Sequence, residues 1–182
     1  DASSFKFRLS NLEVSTLSQY GYRYRRTNVP RIMLSVYIGL TVIETLLLML
    51  AGMSFFDAIN HSFSTIATGG FSTRNASIMY YESPLIDMII IVFMILASMH
   101  FGVIYAMVIK KSLAPIKNSV TIYYLSVIVI FSLFITFTLM LQGGYSSFGK
   151  ALLDSLFQVS SFISTTGFGN ADNALWPMLA NL

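Results

Sequence analysis

The sequence predicts an all-α integral membrane protein built from repeated units: a span, a short re-entrant helix, a glycine-containing loop and a second span. Three observations carry this. Of 182 residues, 55% are hydrophobic and only 10% are charged, less than half the charged share of an ordinary soluble domain. Three segments stay apolar over roughly 20 residues, the length that crosses a bilayer. Two shorter apolar segments, each followed by Thr-x-Gly-Phe, match one another without a gap.

The first expected span, Ile32–Gly52, carries one charge, Glu44; the second, Met88–Ile109, carries one titratable group, His100; the third, Val120–Leu141, carries none. A water-facing helix of this length would show a polar stripe at a 3.6-residue period, and these do not. Absence of cysteine excludes disulfides, thiolate zinc sites and cysteine nucleophiles.

Charge placement gives the topology. Lys6, Arg8, Arg23, Arg25, Arg26 and Arg31 precede the first span, and Lys110, Lys111 and Lys117 lie between the second and third. Only Arg74 and Lys150 fall on the other side, together with Asp57, Glu82, Asp87, Asp154 and Asp172. By the positive-inside rule the basic segments are cytoplasmic. A nucleic-acid role for Arg23–Arg31 is the poorer explanation, since a span starts directly behind it, and no nucleic-acid partner is expected. Residues 1–30 form a cytoplasmic or interfacial segment. Within them Leu9, Leu12, Thr16, Leu17 and Tyr20 roughly follow helical spacing, which suits either a helix in the interface or a plain connector. The chain opens on Asp1, and no closing apolar segment follows the second loop, so both ends are expected to be truncations.

Phe55–Ile66 and Leu152–Ile163 are apolar over a dozen residues, about 18 Å as a helix. Neither reaches across a bilayer. Each must enter and turn back, and the backbone that follows must line protein or water because lipid leaves its polar groups unpaired. Asp57 matches Asp154, Thr68 matches Thr165, Gly70 matches Gly167 and Phe71 matches Phe168, all at one offset. One repeat therefore covers 31–111, with its re-entrant helix at 55–66 and its loop at 68–72. A second covers 112–182, with helix 152–163, loop 165–169 and no closing span. Shared spacing across two copies outweighs either motif alone. Ser54 and Asp57 suggest a helix start of the capping-box kind.

The loops read Thr68-Gly69-Gly70-Phe71-Ser72 and Thr165-Thr166-Gly167-Phe168-Gly169. The potassium-channel filter reads Thr-Val-Gly-Tyr-Gly, and its backbone carbonyls replace the ion's hydration shell. Gly70 and Gly167 permit the backbone twist that turns carbonyls inward. The short helix brings its partially negative C-terminus towards a cation. Expected ion-binding positions are Thr68, Gly69, Gly70, Thr165, Thr166 and Gly167, with the cation itself at Thr68, Gly69, Thr165 and Thr166; that this cation is potassium is what the family resemblance described next implies. Phe71 and Phe168 are the expected filter supports, bracing each loop against its pore helix.

Phe56-Asp57-Ala58 through Thr68-Gly69-Gly70-Phe71-Ser72-Thr73, continuing Asn75-Ala76-Ser77, resembles the second filter repeat of TrkH-type subunits in the Trk/Ktr/HKT potassium-uptake superfamily. Phe157-Gln158-Val159 through Thr165-Thr166-Gly167-Phe168, then Leu175-Trp176-Pro177, resembles the third. The resemblance implies a multi-pass protein of the cell (inner or plasma) membrane that forms part of the pore of a Trk-type potassium uptake system. It further implies four repeats around one pore, a homodimer in membrane lipid, a cytosolic nucleotide-binding TrkA-type regulatory subunit, and K+ as the transported ion with no cofactor. The family's gating loop lies in the closing span of its third repeat, so no gate residue is assigned here. Family members often carry Asn where this chain has His100.

Blander readings stand beside these. Gly70 and Gly167 taken singly are turn glycines. Asp57, His61 and Ser64 share one helix face and suggest a hydrolytic triad. Catalysis needs an oxyanion site as well, and Gln158 stands at the position of His61 in the second copy, so no enzyme is expected. Glu44 at mid-span is a functional candidate by default, or it bonds a neighbouring helix. His100 is better read as a packed, hydrogen-bonded histidine than as a metal ligand. Trp176 with Pro177 suits an interfacial anchor. The alternative function is a secondary cation transporter, sodium- or proton-coupled, with a broken-helix ion site. That class predicts inverted repeats, whereas these two copies enter from the same side.

Overall fold

The computed structural model describes residues 29–99, 103–104, 119–143, 145–172 and 176. The chain divides into two units, 1–35 and 36–182. Of the first, only the opening turns of helix α1 fall among the described residues. The N-terminal segment, His100, the Lys110–Lys117 loop, Leu175 and Pro177 lie outside them.

Helix α1 runs Val29–Leu50, starting earlier than the apolar run alone suggests because Pro30 is accommodated in its first turn. It ends where Gly52 takes φ +105°. The Met53 N–H then returns to the Leu48 carbonyl at 3.0 Å, a Schellman-type closure that turns the chain back. Helix α2 spans Phe55–Ile66. Ser54 caps it, its hydroxyl accepting the Asp57 N–H at 3.1 Å. A short 3₁₀ helix, Ser77–Tyr81, follows the first loop.

Helix α3 spans Pro84–Ser98 and stops well short of Ile109. Met99 is extended, and the Ser98 hydroxyl reaches back to the Met94 and Ile95 carbonyls and across to the Tyr124 hydroxyl. Fifteen residues reach about 22 Å, short of a ~30 Å hydrocarbon layer. The expected second span is thus interrupted at Met99, and helix is seen again at residues 103–104. Helix α4, Ser119–Leu141, is continuous. Helix α5, Phe148–Ile163, begins four residues before the expected Leu152. Among the described residues, α1 and α4 are long and apolar enough to cross a membrane.

Helix α5 packs against both α4 and α3, and α2 packs against α3. One buried cluster joins the copies: Leu48, Ala58, Ile78, Ile90 and Met94 of the first with Phe157 and Phe168 of the second. The outside is apolar too. Ile38, Val42 and Leu46 on α1 and Ile130, Phe134 and Phe137 on α4 are exposed. A water-soluble monomer rarely displays an apolar surface of this extent, whereas lipid contact calls for it.

Candidate functional site

The site forms where α2 and α5 end. Both helices close in the same way. In the first copy Ala67 N–H bonds the Phe63 carbonyl, Thr68 N–H that of Thr65, and Gly69 N–H that of Ser64 at 2.7 Å. In the second, Ser164 N–H bonds Ser160, Thr165 N–H bonds Phe162, and Thr166 N–H bonds Ser161 at 2.9 Å. Each of the second set lies ninety-seven positions beyond its counterpart. The repeat in sequence is therefore a repeat in hydrogen bonding.

Beyond the helices the backbone alternates. Thr68 and Gly70 have φ +51° and +69°, and Thr165 and Gly167 have φ +59° and +86°. The residues between them, Gly69 and Thr166, are not left-handed. Alternation of this kind turns successive carbonyls towards one side. Glycine takes a left-handed conformation freely. Threonine does not, and a β-branched residue there is a true outlier that costs on the order of 1–3 kcal/mol. Sequence reasoning placed the twist on glycine and missed that each threonine carries half of it. Strain duplicated at matched positions marks a functional backbone.

The two loops meet. A β-carbon built on Gly70 would stand 2.0 Å from the carbonyl oxygen of Thr166 and 3.2 Å from the carbonyl carbon of Gly167. Gly70 is thus required by a close backbone approach as well as by its φ. A β-carbon on Gly167 would meet nothing within 4 Å among the described residues. The first copy also holds the second loop from outside: the Ile78 and Met79 N–H groups both donate to the Gly169 carbonyl, at 3.0 and 3.1 Å, and Gly169 N–H donates to the Ser77 hydroxyl at 3.3 Å.

The two phenylalanines differ. Phe168 is 2% exposed and its ring lies 5.8 Å from that of His61, a residue of α2. Phe71 is 80% exposed. The ring of Phe168 packs between the copies, against His61 of α2 and in one buried cluster with Phe157 of its own α5. Phe71 has no such cover among the described residues. The Phe168 carbonyl also accepts from the Ser161 hydroxyl at 2.8 Å, while the matched Ser64 hydroxyl is buried with no partner among the described residues.

Behind each loop stands a pore-helix carboxylate. Asp57 accepts from the Thr73 hydroxyl at 2.6 Å and from Arg74 Nη2 at 2.8 Å. Arg74 in turn stacks over the Tyr80 ring at 4.4 Å. The Thr73 bond, aided by Arg74 and Ser54, outweighs burial and holds the Asp57 carboxyl well below the usual carboxylate range. Asp154 accepts from Asn170 Nδ2 at 3.1 Å and from the Tyr145 hydroxyl at 2.9 Å. Burial pushes the Tyr145 phenol up to about 12, the Asp154 contact adding to it. Asn170 Nδ2 also donates to Asp87 Oδ2 at 3.2 Å.

No hydrolytic triad is assembled. His61 Nδ1 donates to the backbone carbonyl of Asp57 at 2.7 Å, away from its carboxylate. Its Nε2 meets the Ser72 hydroxyl at 2.9 Å and leaves Ser64 aside. A ring whose Nδ1 must donate presents Nε2 as an acceptor, so the Ser72 O–H donates to it. Glu44 is 0% exposed and faces the interior beside Thr65 of α2; among the described residues neither of its oxygens lies in good hydrogen-bond geometry. Trp176 is buried with Ile128, Ile135, Leu139 and Val159, which corrects the reading of it as an interfacial anchor: its indole is drawn in by the α4–α5 core. Among the described residues, no cluster of three or more His, Cys, Asp or Glu side chains forms a metal site.

Two half-length helices, ending side by side on loops of alternating handedness inside an apolar-surfaced bundle, define a multi-pass membrane protein of the potassium-channel-like fold. Residues 2–144 match the family model for TrkH, described as cation transport protein, and the chain belongs to that family. It is 39% identical over 145 residues to the Trk system potassium uptake protein TrkH of Escherichia coli, covering 79% of this chain and 30% of that protein. It is 34% identical over 158 residues to TrkH of Halomonas elongata, covering 84% and 32%. The crystal structure of the potassium transporter TrkH from Vibrio parahaemolyticus superposes with a TM-score of 0.82 at 31% identity, covering 94% of this chain and 37% of that one. The chain thus spans about a third of the length of these relatives.

Proposed function

We propose that the chain supplies two neighbouring quarters of a potassium-selective pore. The carbonyls of Thr68, Gly69, Thr165 and Thr166 would coordinate K+, and Gly70 and Gly167 would set the backbone that aims them. The observation that carries this is the meeting of Gly70 with the Thr166 carbonyl, which brings two strained loops of the same pattern together. Backbone carbonyls substitute for the water shell of a cation, and the partially negative C-termini of α2 and α5 favour positive charge where the loops begin. The names of the relatives, potassium uptake proteins of a Trk system, support potassium as the cargo and the plasma membrane as the location.

We read the repeats as 31–111 and 112–182, and the hydrogen bonds matched at one offset at the ends of α2 and α5 support the duplication. In the whole protein, resemblance to the family supports four repeats, a homodimer within lipid and a cytosolic TrkA-type regulatory subunit. The function is passage of an ion, with no bond made or broken. The test is growth of a strain devoid of potassium uptake. The full-length protein should restore growth at limiting potassium, and a version carrying Gly70→Ser together with Gly167→Ser should restore it only at much higher potassium. Equal rescue by both would refute the proposal.

A further inference from the structure

Carrying the repeat beyond the two phenylalanines aligns Thr73 with Asn170, both sixteen residues after the pore-helix aspartate. The residue types differ, but the bond is the same. Thr73 Oγ1 donates to Asp57 Oδ1, and Asn170 Nδ2 donates to Asp154 Oδ1. One turn further along each pore helix, a second side chain grips the same strand: His61 meets Ser72 at 2.9 Å, and Gln158 Nε2 donates to Asn170 Oδ1 at 3.3 Å. Each filter loop is therefore bounded at its inner end by the close of its pore helix and at its outer end by a carboxylate brace.

We infer that Asp57 with Thr73 and Asp154 with Asn170 are positioning residues that hold the outer leg of each loop, and thereby fix the spacing of the carbonyls on which ion discrimination depends. This rests on the pore reading above. None of the four is placed as an ion ligand; each acts through the backbone it anchors. A hydrogen bond to a charged group is stronger and shorter than one between neutral groups, so a carboxylate is suited to holding a strained segment in place.

The braces are finished differently. In the first, Arg74 closes the carboxylate as an ion pair within the same copy. In the second, the matched position is Ala171, and the Asn170 amide is shared between Asp154 and Asp87. Asp87 opens α3, so the second loop is tied to a helix of the first copy. The outer leg of the second loop is thus anchored across the repeat boundary, as its Gly169 carbonyl is by Ile78 and Met79.

The test uses the full-length protein in cells lacking other potassium uptake, reading the rubidium-to-sodium uptake ratio at matched membrane abundance. Thr73→Val keeps the shape and loses the donor. Thr73→Ser keeps the donor, and Thr73→Asn installs the donor of the other copy. Thr73→Val should lower the ratio by about fivefold, the factor that one net hydrogen bond corresponds to, and Asn170→Leu should lower it likewise. Thr73→Ser and Thr73→Asn should keep the parent ratio, which a purely volume-filling role for Thr73 does not predict. If Thr73→Val does not accumulate, Asp57→Asn takes its place and must lower the ratio. Parent ratios in Thr73→Val and Asn170→Leu, with Gly70→Ser lowering the ratio, would overturn the brace and leave the pore reading standing. A parent ratio in Gly70→Ser as well would overturn both.

Discussion

Gly70 and Thr166 stand so close that any side chain on the first would overlap the backbone carbonyl of the second, at 2.0 Å from an added β-carbon. One loop is therefore built against the other, and glycine is demanded by its neighbour as much as by its own φ of +69°. Gly167, at φ +86°, meets no such obstacle among the described residues. The two matched glycines should respond differently to the same change.

Gly70→Ala forces either backbone to move and should destabilise the protein by several kcal/mol, at the upper end of single-residue effects. Gly167→Ala adds only the left-handed penalty of about 1–2 kcal/mol unless another loop adjoins it in the whole protein. Thermal unfolding in detergent checks the order. Equal, small effects would show that the close approach of Gly70 to Thr166 does not exist.

The start of α2 rests on Ser54, whose hydroxyl accepts the Asp57 N–H at 3.1 Å. Ser54→Ala should cost about 1 kcal/mol, and Ser54→Asp should restore most of it. Melting temperature at constant detergent reads both. A neutral Ser54→Ala would mean that packing alone fixes the helix start.

Asp57 lies at the outer end of a helix that does not span, and its carboxyl is held below the ordinary range by Thr73 and Arg74. A depressed carboxyl contributes stability above its unfolded pKa, about 3.9, and loses it as pH falls through the lower folded value. The stability gap between the parent and Asp57→Asn should therefore stay constant from pH 5 to 8 and shrink only under strong acid. Unfolding midpoints across that range test it. A gap that already closes near pH 6 would place the Asp57 carboxyl elsewhere.

Gly169 N–H donates to the Ser77 hydroxyl, so residues ninety-two apart in sequence touch on one face. The chain has no cysteine, which leaves a clean background for Ser77→Cys with Gly169→Cys. Mild oxidation should cross-link the pair within a single chain, seen as a mobility shift that reductant reverses. A pair that stays reduced while a surface control pair oxidises would separate the loops.

Much of this arrangement is legible in the residues, and the parts that are not have physical reasons. The bounds of α2 could be read at both ends because Ser54 and Asp57 mark its start and its apolar run stops at Ile66. Helix α5 begins earlier than its apolar run because Phe148, Gly149 and Lys150 add a turn that hydropathy does not reveal. The break at Met99 has no proline to announce it, and the lone Gly102 that follows does not by itself end an apolar run. Left-handed Thr68 and Thr165 run against the preference of a β-branched residue, so propensity points the wrong way where the backbone is strained. Phe71 and Phe168 are identical in sequence, yet only Phe168 finds a pore helix to cover it. The match of Thr73 with Asn170 is invisible to residue identity and apparent only as two hydrogen-bond donors at one repeat position.

The most direct test of the pore assignment is the rubidium-to-sodium uptake ratio of the full-length protein carrying Gly70→Ser, measured in cells without other potassium systems. A hydroxymethyl group at Gly70 displaces the Thr166 carbonyl and opposes the left-handed backbone. Because selectivity depends on the number and field of the coordinating carbonyls, discrimination should fall more than total cation flux does. A ratio equal to that of the parent, at normal membrane abundance, would contradict the assignment of these loops as the selectivity filter.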